Sequence, residues 1–223
     1  MMGDNTESTV DNLAIEPEHC PELTEFNDTS LIEIGPRAEL HGAVDVQEFR
    51  EFYEGDYIER GTGTREVFPF EDPRSFVTEI NPHYVDGGYA YEVNCSDCAR
   101  CVESRWRGRA VEAAGNRRDG EPLERMERWT GERNYEATPA EIRRALEFGG
   151  PGSSAIIGTQ WEGPFDGGHH YNVVNNRGTL EVVDGQIGRV LSFDNECIHA
   201  MLDSYTGLNH HVVAWDARGR RIL

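Results

Sequence analysis

The chain has 223 residues, a formal net charge of −20 at pH 7 and no lysine, all 21 basic residues being arginine. So acidic a surface repels phosphate backbones and excludes nucleic acid as the principal partner. No apolar run approaches the length of a membrane span, which excludes the bilayer interior, and no basic-then-apolar signal segment opens the chain. An acidic, lysine-free surface suits a cell interior at molar salt, where the Debye length falls to about 3 Å and self-repulsion is screened. A halophilic origin is therefore expected.

Residues 1–40 are rich in Asp, Glu, Asn, Thr and Pro without a sustained apolar period, and read as a flexible acidic lead. Residues 41–79 read as a short preamble. Val44, Val46, Phe49, Phe52 and Tyr53 suggest an amphipathic helix ending near Glu54, Gly61 to Thr64 break it, and Val67-Phe68-Pro69-Phe70 is extended. The principal domain spans residues 80–223. Gly87-Gly88 marks a turn, and Tyr89 to Val93 reads as a short extended segment. Asn94 is a good N-cap for a helix from Cys95 to Arg107 that Gly108 stops. A second helix is expected over Pro122 to Trp129. A third begins at the capping box Thr138-Pro139-Ala140-Glu141 and ends at Gly149-Gly150.

After Pro151 the pattern turns to strands. They are expected over Ser154 to Gln160, His169 to Val174, Thr179 to Asp184, Arg189 to Phe193 and His210 to Trp215. Asn175-Asn176-Arg177-Gly178 supplies hairpin turn residues, and a short helix is expected near Cys197 to Leu202. Helices followed by a strand meander give an α+β class, with the N-terminal helices packed on an antiparallel sheet.

Five cysteines, three clustered at Cys95, Cys98 and Cys101 and two isolated at Cys20 and Cys197, make a poor disulfide framework. They fit site chemistry or a reducing compartment better. Cys95 falls in the first turn of its helix, where the helix dipole favours a thiolate; Cys98 and Cys101 lie further in, where that effect has faded. The alternative is a metal or iron–sulfur module on the three cysteines, which needs a fourth ligand and a splay that a helix surface does not favour. A non-catalytic interaction domain is a third reading.

The partner groups lie downstream. With the hairpin turn centred between Asn176 and Arg177, residues whose numbers sum to 353 face one another, which pairs His169 with Asp184 within reach of a hydrogen bond. Strand alternation sends His170 to the opposite face, so only one of the two imidazoles is expected at the site. His199, His210 and His211 are further decoys.

Three ordered motifs carry a resemblance over about residues 80–193: Asn94 to Gly108 with its Cys-x-x-Cys and Arg-x-Arg-Gly, Gly168-His169-His170-Tyr171-Asn172-Val173-Val174, and Asp184-Gly185-Gln186-Ile187-Gly188. Together they resemble the papain-fold toxin family of polymorphic toxin systems, described as glutamine deamidases. Asn81-Pro82 agrees with that family, and Cys101 departs from it, standing where an Ala is usual. The resemblance implies a papain-like cysteine hydrolase core over residues 80–223, with Cys95 as nucleophile, His169 as general base and Asp184 as its orienter. Gln186 and Asn94 become candidates for a substrate or oxyanion contact, Asn94 being favoured as a cap alone. The implied reaction is deamidation of glutamine side chains through a thioester, with no cofactor and no metal. A cysteine protease on the same fold is the alternative. The family further implies a target protein with a reactive Gln or peptide bond, a cognate immunity protein, and secretion or delivery into target cells to act in their cytoplasm.

Overall fold

The computed structural model describes residues 59–61, 66–116, 121–161, 167–194 and 210–223. The expected acidic lead, the helix from Val44 to Glu54, and the helix near Cys197 to Leu202 lie outside the described residues. Eight strands occur among those described: β1 (Glu59–Gly61), β2 (Val111–Ala113), β3 (Tyr135–Glu136), β4 (Ser154–Trp161), β5 (Gly167–Asn176), β6 (Thr179–Asp184), β7 (Arg189–Ser192) and β8 (His210–Trp215). The α-helices are α1 (Tyr89–Glu92), α2 (Cys95–Trp106), α3 (Leu123–Thr130) and α4 (Pro139–Gly149). β1 and β2 pair with each other; the other six form one antiparallel sheet in the order β3-β8-β4-β5-β6-β7. This is the α+β meander expected from the pattern.

The sheet is covered on both faces. Alternation along β4 and β5 places Ala155, Ile157, Tyr171 and Val173 on one side, where Ile142 and Leu146 of α4 complete a core with Val182, Phe193 and Val212. The other side presents Val174 and Val183 to Cys98, Cys101, Val102 and Trp106 of α2. α4 starts where the sequence says it should: the Thr138 hydroxyl accepts from the Glu141 N–H, and the Glu141 carboxylate accepts from the Thr138 N–H.

α2 is the central helix, and all twelve of its residues are buried. Its sequence, Cys-Ser-Asp-Cys-Ala-Arg-Cys-Val-Glu-Ser-Arg-Trp, is too polar to be driven inside by burial alone. The charges enter in pairs instead. Arg100 meets Asp97 at 2.5 Å and Glu121 at 2.8 Å, and Glu121 also holds Arg125 at 3.0 Å. Arg105 reaches Glu79 at 3.0 Å. Removing one member would strand its partner's charge in the interior, which costs several kcal/mol. Trp106 fixes the far end of the helix by donating its indole N–H to the Gly152 carbonyl.

Two local expectations are corrected. Tyr89 to Glu92 is helical, not extended. The alternating aromatics there serve tertiary contacts: Tyr91 lies against His83, with ring centroids 5.2 Å apart, and its carbonyl accepts from Asn81. The β5–β6 hairpin is also tighter than expected. β5 runs on through Asn176, which pairs with Thr179, so the loop is only Arg177-Gly178, both with positive φ (55° and 98°). Facing residues therefore sum to 355 and not 353.

Candidate active site

The site is built where β5 loses its β6 neighbour. The ladder between them ends at Asn172 opposite Val183. β6 ends at Asp184, and the chain turns through Gly185 and Gln186 towards β7. Gly185 has to be glycine: a Cβ there would lie 2.6 Å from Val102 Cγ2 and 2.8 Å from Ile80 Cγ2, with the Cys98 carbonyl at 3.2 Å. The turn is thus pressed onto α2, which brings the start of that helix beside the open edge of β5.

Three of the expected site residues meet there. His169 Nε2 and Asp184 Oδ2 are 2.6 Å apart, and both side chains are buried. The revised register makes them diagonal neighbours and not direct opposites, but a shift of two in the sum keeps both on one face, so the contact survives. The other carboxylate oxygen of Asp184 accepts from the backbone N–H groups of Gln186 at 2.9 Å and Ile187 at 3.3 Å. The carboxylate is therefore fixed from both sides. Tyr171 stacks on the imidazole, with centroids 6.1 Å apart and planes 22° apart.

The Cys95 thiol is buried, and the imidazoles of His169 and His170 both act on its titration. Burial alone would disfavour its thiolate; the two imidazoles outweigh that and bring the thiol down from 9.0 to about 5. His169 moves the other way. Burial opposes its charge, but the Asp184 carboxylate and then the Cys95 sulfur raise it from 6.5 to about 10. Across neutral pH the pair is a thiolate beside an imidazolium.

Asn94 and Gln186 hold the nucleophile's turn in place. Asn94 does not cap α2 with its side chain, contrary to expectation. Its amide hydrogens go to Asn81 Oδ1 and the Ala114 carbonyl, both at 3.1 Å. The Asn81 amide in turn reaches the Tyr91 and Gln186 carbonyls and Asn94 Oδ1. Gln186 is buried, and its amide donates to the Glu92 carbonyl at 2.8 Å. These amide contacts tie the loop before α2 to the turn after Asp184. Nothing in the local pattern around Asn81 reveals this, since its partners Asn94 and Gln186 lie 13 and 105 positions away.

Cys98 and Cys101 point into the core beside Val102 and Trp106. Burial pushes the Cys98 thiol well above its ordinary value. Among the described residues no group of three or more His, Cys, Asp or Glu is arranged to hold a metal ion. Of the other histidines, His210 is buried against the Thr159 hydroxyl at 3.0 Å, and His199 lies outside the described residues. His170 keeps to the opposite face of β5, as alternation expects: its ring lies over Gly158, and its Nδ1 is 3.0 Å from the Ser96 hydroxyl.

Residues 93–189 match the family model described as Papain fold toxin 1, glutamine deamidase. Over this segment the chain is similar to the papain-fold toxin family. The segment holds α2, the β5–β6 hairpin and the Asp-Gly-Gln turn, and so contains Cys95, His169 and Asp184. Asn81 lies outside it. No curated protein and no solved structure matches the chain. The papain-like description agrees with the observed helix-on-antiparallel-sheet arrangement, and the family is one of toxins described by glutamine deamidation. Among the described residues no helix is long and apolar enough to cross a membrane.

Proposed function

We propose that this protein is a cysteine-dependent toxin enzyme that deamidates glutamine side chains of a target protein, with Cys95, His169 and Asp184 as its catalytic triad. The observation that carries the reading is the buried His169–Asp184 pair, Nε2 to Oδ2 2.6 Å, together with a buried thiol in the first turn of α2 that the imidazole acts on. Asp184 occupies Nε2 of His169, which leaves Nδ1 as the ring nitrogen that trades protons with the reacting groups. The Cys95 thiolate attacks the glutamine Cδ, and negative charge collects on the amide oxygen. The α2 N-terminus carries no side-chain cap, so its first backbone N–H groups are the natural donors to that oxyanion. The imidazolium gives its proton to the departing nitrogen, ammonia leaves and a thioester remains. Neutral His169 then takes a proton from water, the hydroxide attacks the thioester, and glutamate is released with the thiolate and imidazolium restored.

In this reading Asn94 and Gln186 are braces of the nucleophile's turn and not oxyanion donors, because both amides are spent on groups within the fold. Residues 80–223 form the catalytic domain, delivered into target cells and kept harmless in the producer by an immunity protein that covers the cleft. The test is incubation with a glutamine-containing target or surrogate protein, read by peptide mass spectrometry. Conversion of Gln to Glu with an intact backbone, absent in Cys95→Ala, is expected. Cleaved fragments would favour the protease reading, and conversion surviving in Cys95→Ala would reject the triad.

A further inference from the structure

Asn81 lies before the segment that matches the family model, yet its side chain stands between the support of the nucleophile and the support of the acid. Its backbone is fixed first. Ile80 is buried and its carbonyl accepts from the Ala113 N–H at 2.7 Å, while the Asn81 carbonyl accepts from the Tyr84 N–H at 3.1 Å. The buried Asn81 side chain then makes a reciprocal pair with Asn94. Asn81 Nδ2 donates to Asn94 Oδ1 at 3.2 Å, and Asn94 Nδ2 donates to Asn81 Oδ1 at 3.1 Å. Asn81 Nδ2 also meets the Tyr91 carbonyl at 2.9 Å and the Gln186 carbonyl at 3.1 Å. Asn94 immediately precedes Cys95, and the Gln186 N–H donates to Asp184 Oδ1 at 2.9 Å. One path therefore runs from the nucleophile through Asn94, Asn81 and Gln186 to Asp184, and across the 2.6 Å contact to His169.

We propose that Asn81 is a positioning residue, which sets the start of α2 against the Asp184 turn and so holds Cys95 where His169 can serve it. The inference rests on Cys95, His169 and Asp184 being the triad. The nucleophile stands on α2 and the acid at the end of β6, so their spacing is a tertiary quantity that neither element fixes by itself. A misplacement of about 1 Å between reacting groups costs about 10²-fold in rate. An amide suits this position, because it donates two hydrogens and accepts at the same time. A carboxylate has no donor, and a hydroxyl has a single hydrogen. The two turns share a second tie, Gln186 Nε2 on the Glu92 carbonyl at 2.8 Å. That tie ends at Glu92, whereas Asn81 grips the residue adjoining Cys95.

The test compares the full chain with Asn81→Asp, which keeps the shape and removes the donors, and Asn81→Ser, which removes the reciprocal pair. Variants are first shown to be folded by circular dichroism. The acid midpoint of iodoacetamide alkylation at Cys95 is then read by peptide mapping, which needs no substrate. Ammonia release from a glutamine-containing surrogate protein gives kcat and KM. The midpoint is expected to rise by ~1 pH unit as the thiol loses its alignment with the imidazole. kcat is expected to fall by about 10²-fold with KM little changed. A merely structural Asn81 would lower the melting temperature and leave the midpoint and the kcat of the folded protein where they were. If one variant fails to fold, the other decides. A folded variant of either kind with an unchanged midpoint overturns the proposal, and loss of folding in both would make Asn81 a stability residue and overturn it equally. Failure of the triad shows separately, as deamidation that survives in Cys95→Ala.

Discussion

Replacing Asp184 by Asn removes one charge and almost no volume, and the structure says why this small change is severe. One carboxylate oxygen faces His169 Nε2 at 2.6 Å, and the other accepts from the Gln186 and Ile187 N–H groups. An amide has one oxygen and one NH2. Turned one way, it sets an NH2 against the imidazolium N–H; turned the other, it sets an NH2 against two backbone N–H groups. Neither orientation satisfies both sides. The electrostatic loss can be sized from His169, which moves from 6.5 to about 10 in the fold. At about 1.4 kcal/mol per unit, that is on the order of 4–5 kcal/mol of preference for the imidazolium. Asp184 is its leading favourable cause, ahead of the Cys95 sulfur. The thiolate–imidazolium pair persists from about 5, where the thiol loses its proton, up to about 10, where the imidazolium loses its own. Both limbs belong to the coupled pair. Without Asp184 the alkaline limit is expected to fall by ~2 units, since one adjacent opposite charge moves a site by about 1–3 units. The acid limit moves less, because His169 is protonated there in either protein. Deamidation is expected to drop by up to roughly 10⁴-fold, the loss seen when the orienting carboxylate of a triad becomes an amide. The assay is the pH profile of Cys95 alkylation together with that of ammonia release. An alkaline limb that stays in place in Asp184→Asn would refute the claim that Asp184 holds His169 in its charged form.

Three further outcomes are expected. Gly185→Ala drives a methyl into Val102 and Ile80 and should lower stability by about 1–3 kcal/mol, as overpacking does, with a matching loss of alkylation rate as Asp184 shifts; urea titration and Cys95 labelling check both. Asn172 is fully buried, and neither polar atom of its side chain has a hydrogen-bond partner among the described residues, so Asn172→Leu should stabilise the fold by about 1–3 kcal/mol, the penalty of an unmade hydrogen bond. A lower melting temperature in that variant would contradict this. With a net charge of −20, stability should rise from low to molar KCl, each kcal/mol recovered raising Tm by about 2–4 °C for a chain of this size. A melting temperature indifferent to salt would remove the halophilic reading.

Most of the strands and the two longest helices were legible because their signals are local. Thr138 to Glu141 encodes its own cap, and the β8 span His210–Trp215 is the one its residue pattern predicts. The segments that misled are those whose structure is dictated from a distance. Tyr89 to Glu92 alternates like a strand, yet it is helical where Asn81 and Gln186 grip its end. β2 and β3 are too short, at three and two residues, for a period to register, and each exists only through its partner strand. The Asn94 side chain illustrates the same limit. As a residue type it is a preferred N-cap, but a buried Asn81 with matching amide geometry outcompetes the helix end for it.

The hairpin shows why the site could be read despite an incorrect register. Gly178 tolerates positive φ readily, and with Arg177 also left-handed the loop closes one residue later than expected. That changes the sum of facing positions by two, moves each partner by two places and leaves every side chain on its original face. An error of one would have sent Asp184 to the α2 side, away from His169. Strand alternation places His170 as expected: its ring lies over Gly158 and against Ser96 of α2, while His169 lies with Tyr171 and Asp184. Of two adjacent histidines on a strand, the one whose face meets a carboxylate is therefore the candidate base, and here that is His169, with Asp184 at 2.6 Å, while His170 meets the Ser96 hydroxyl.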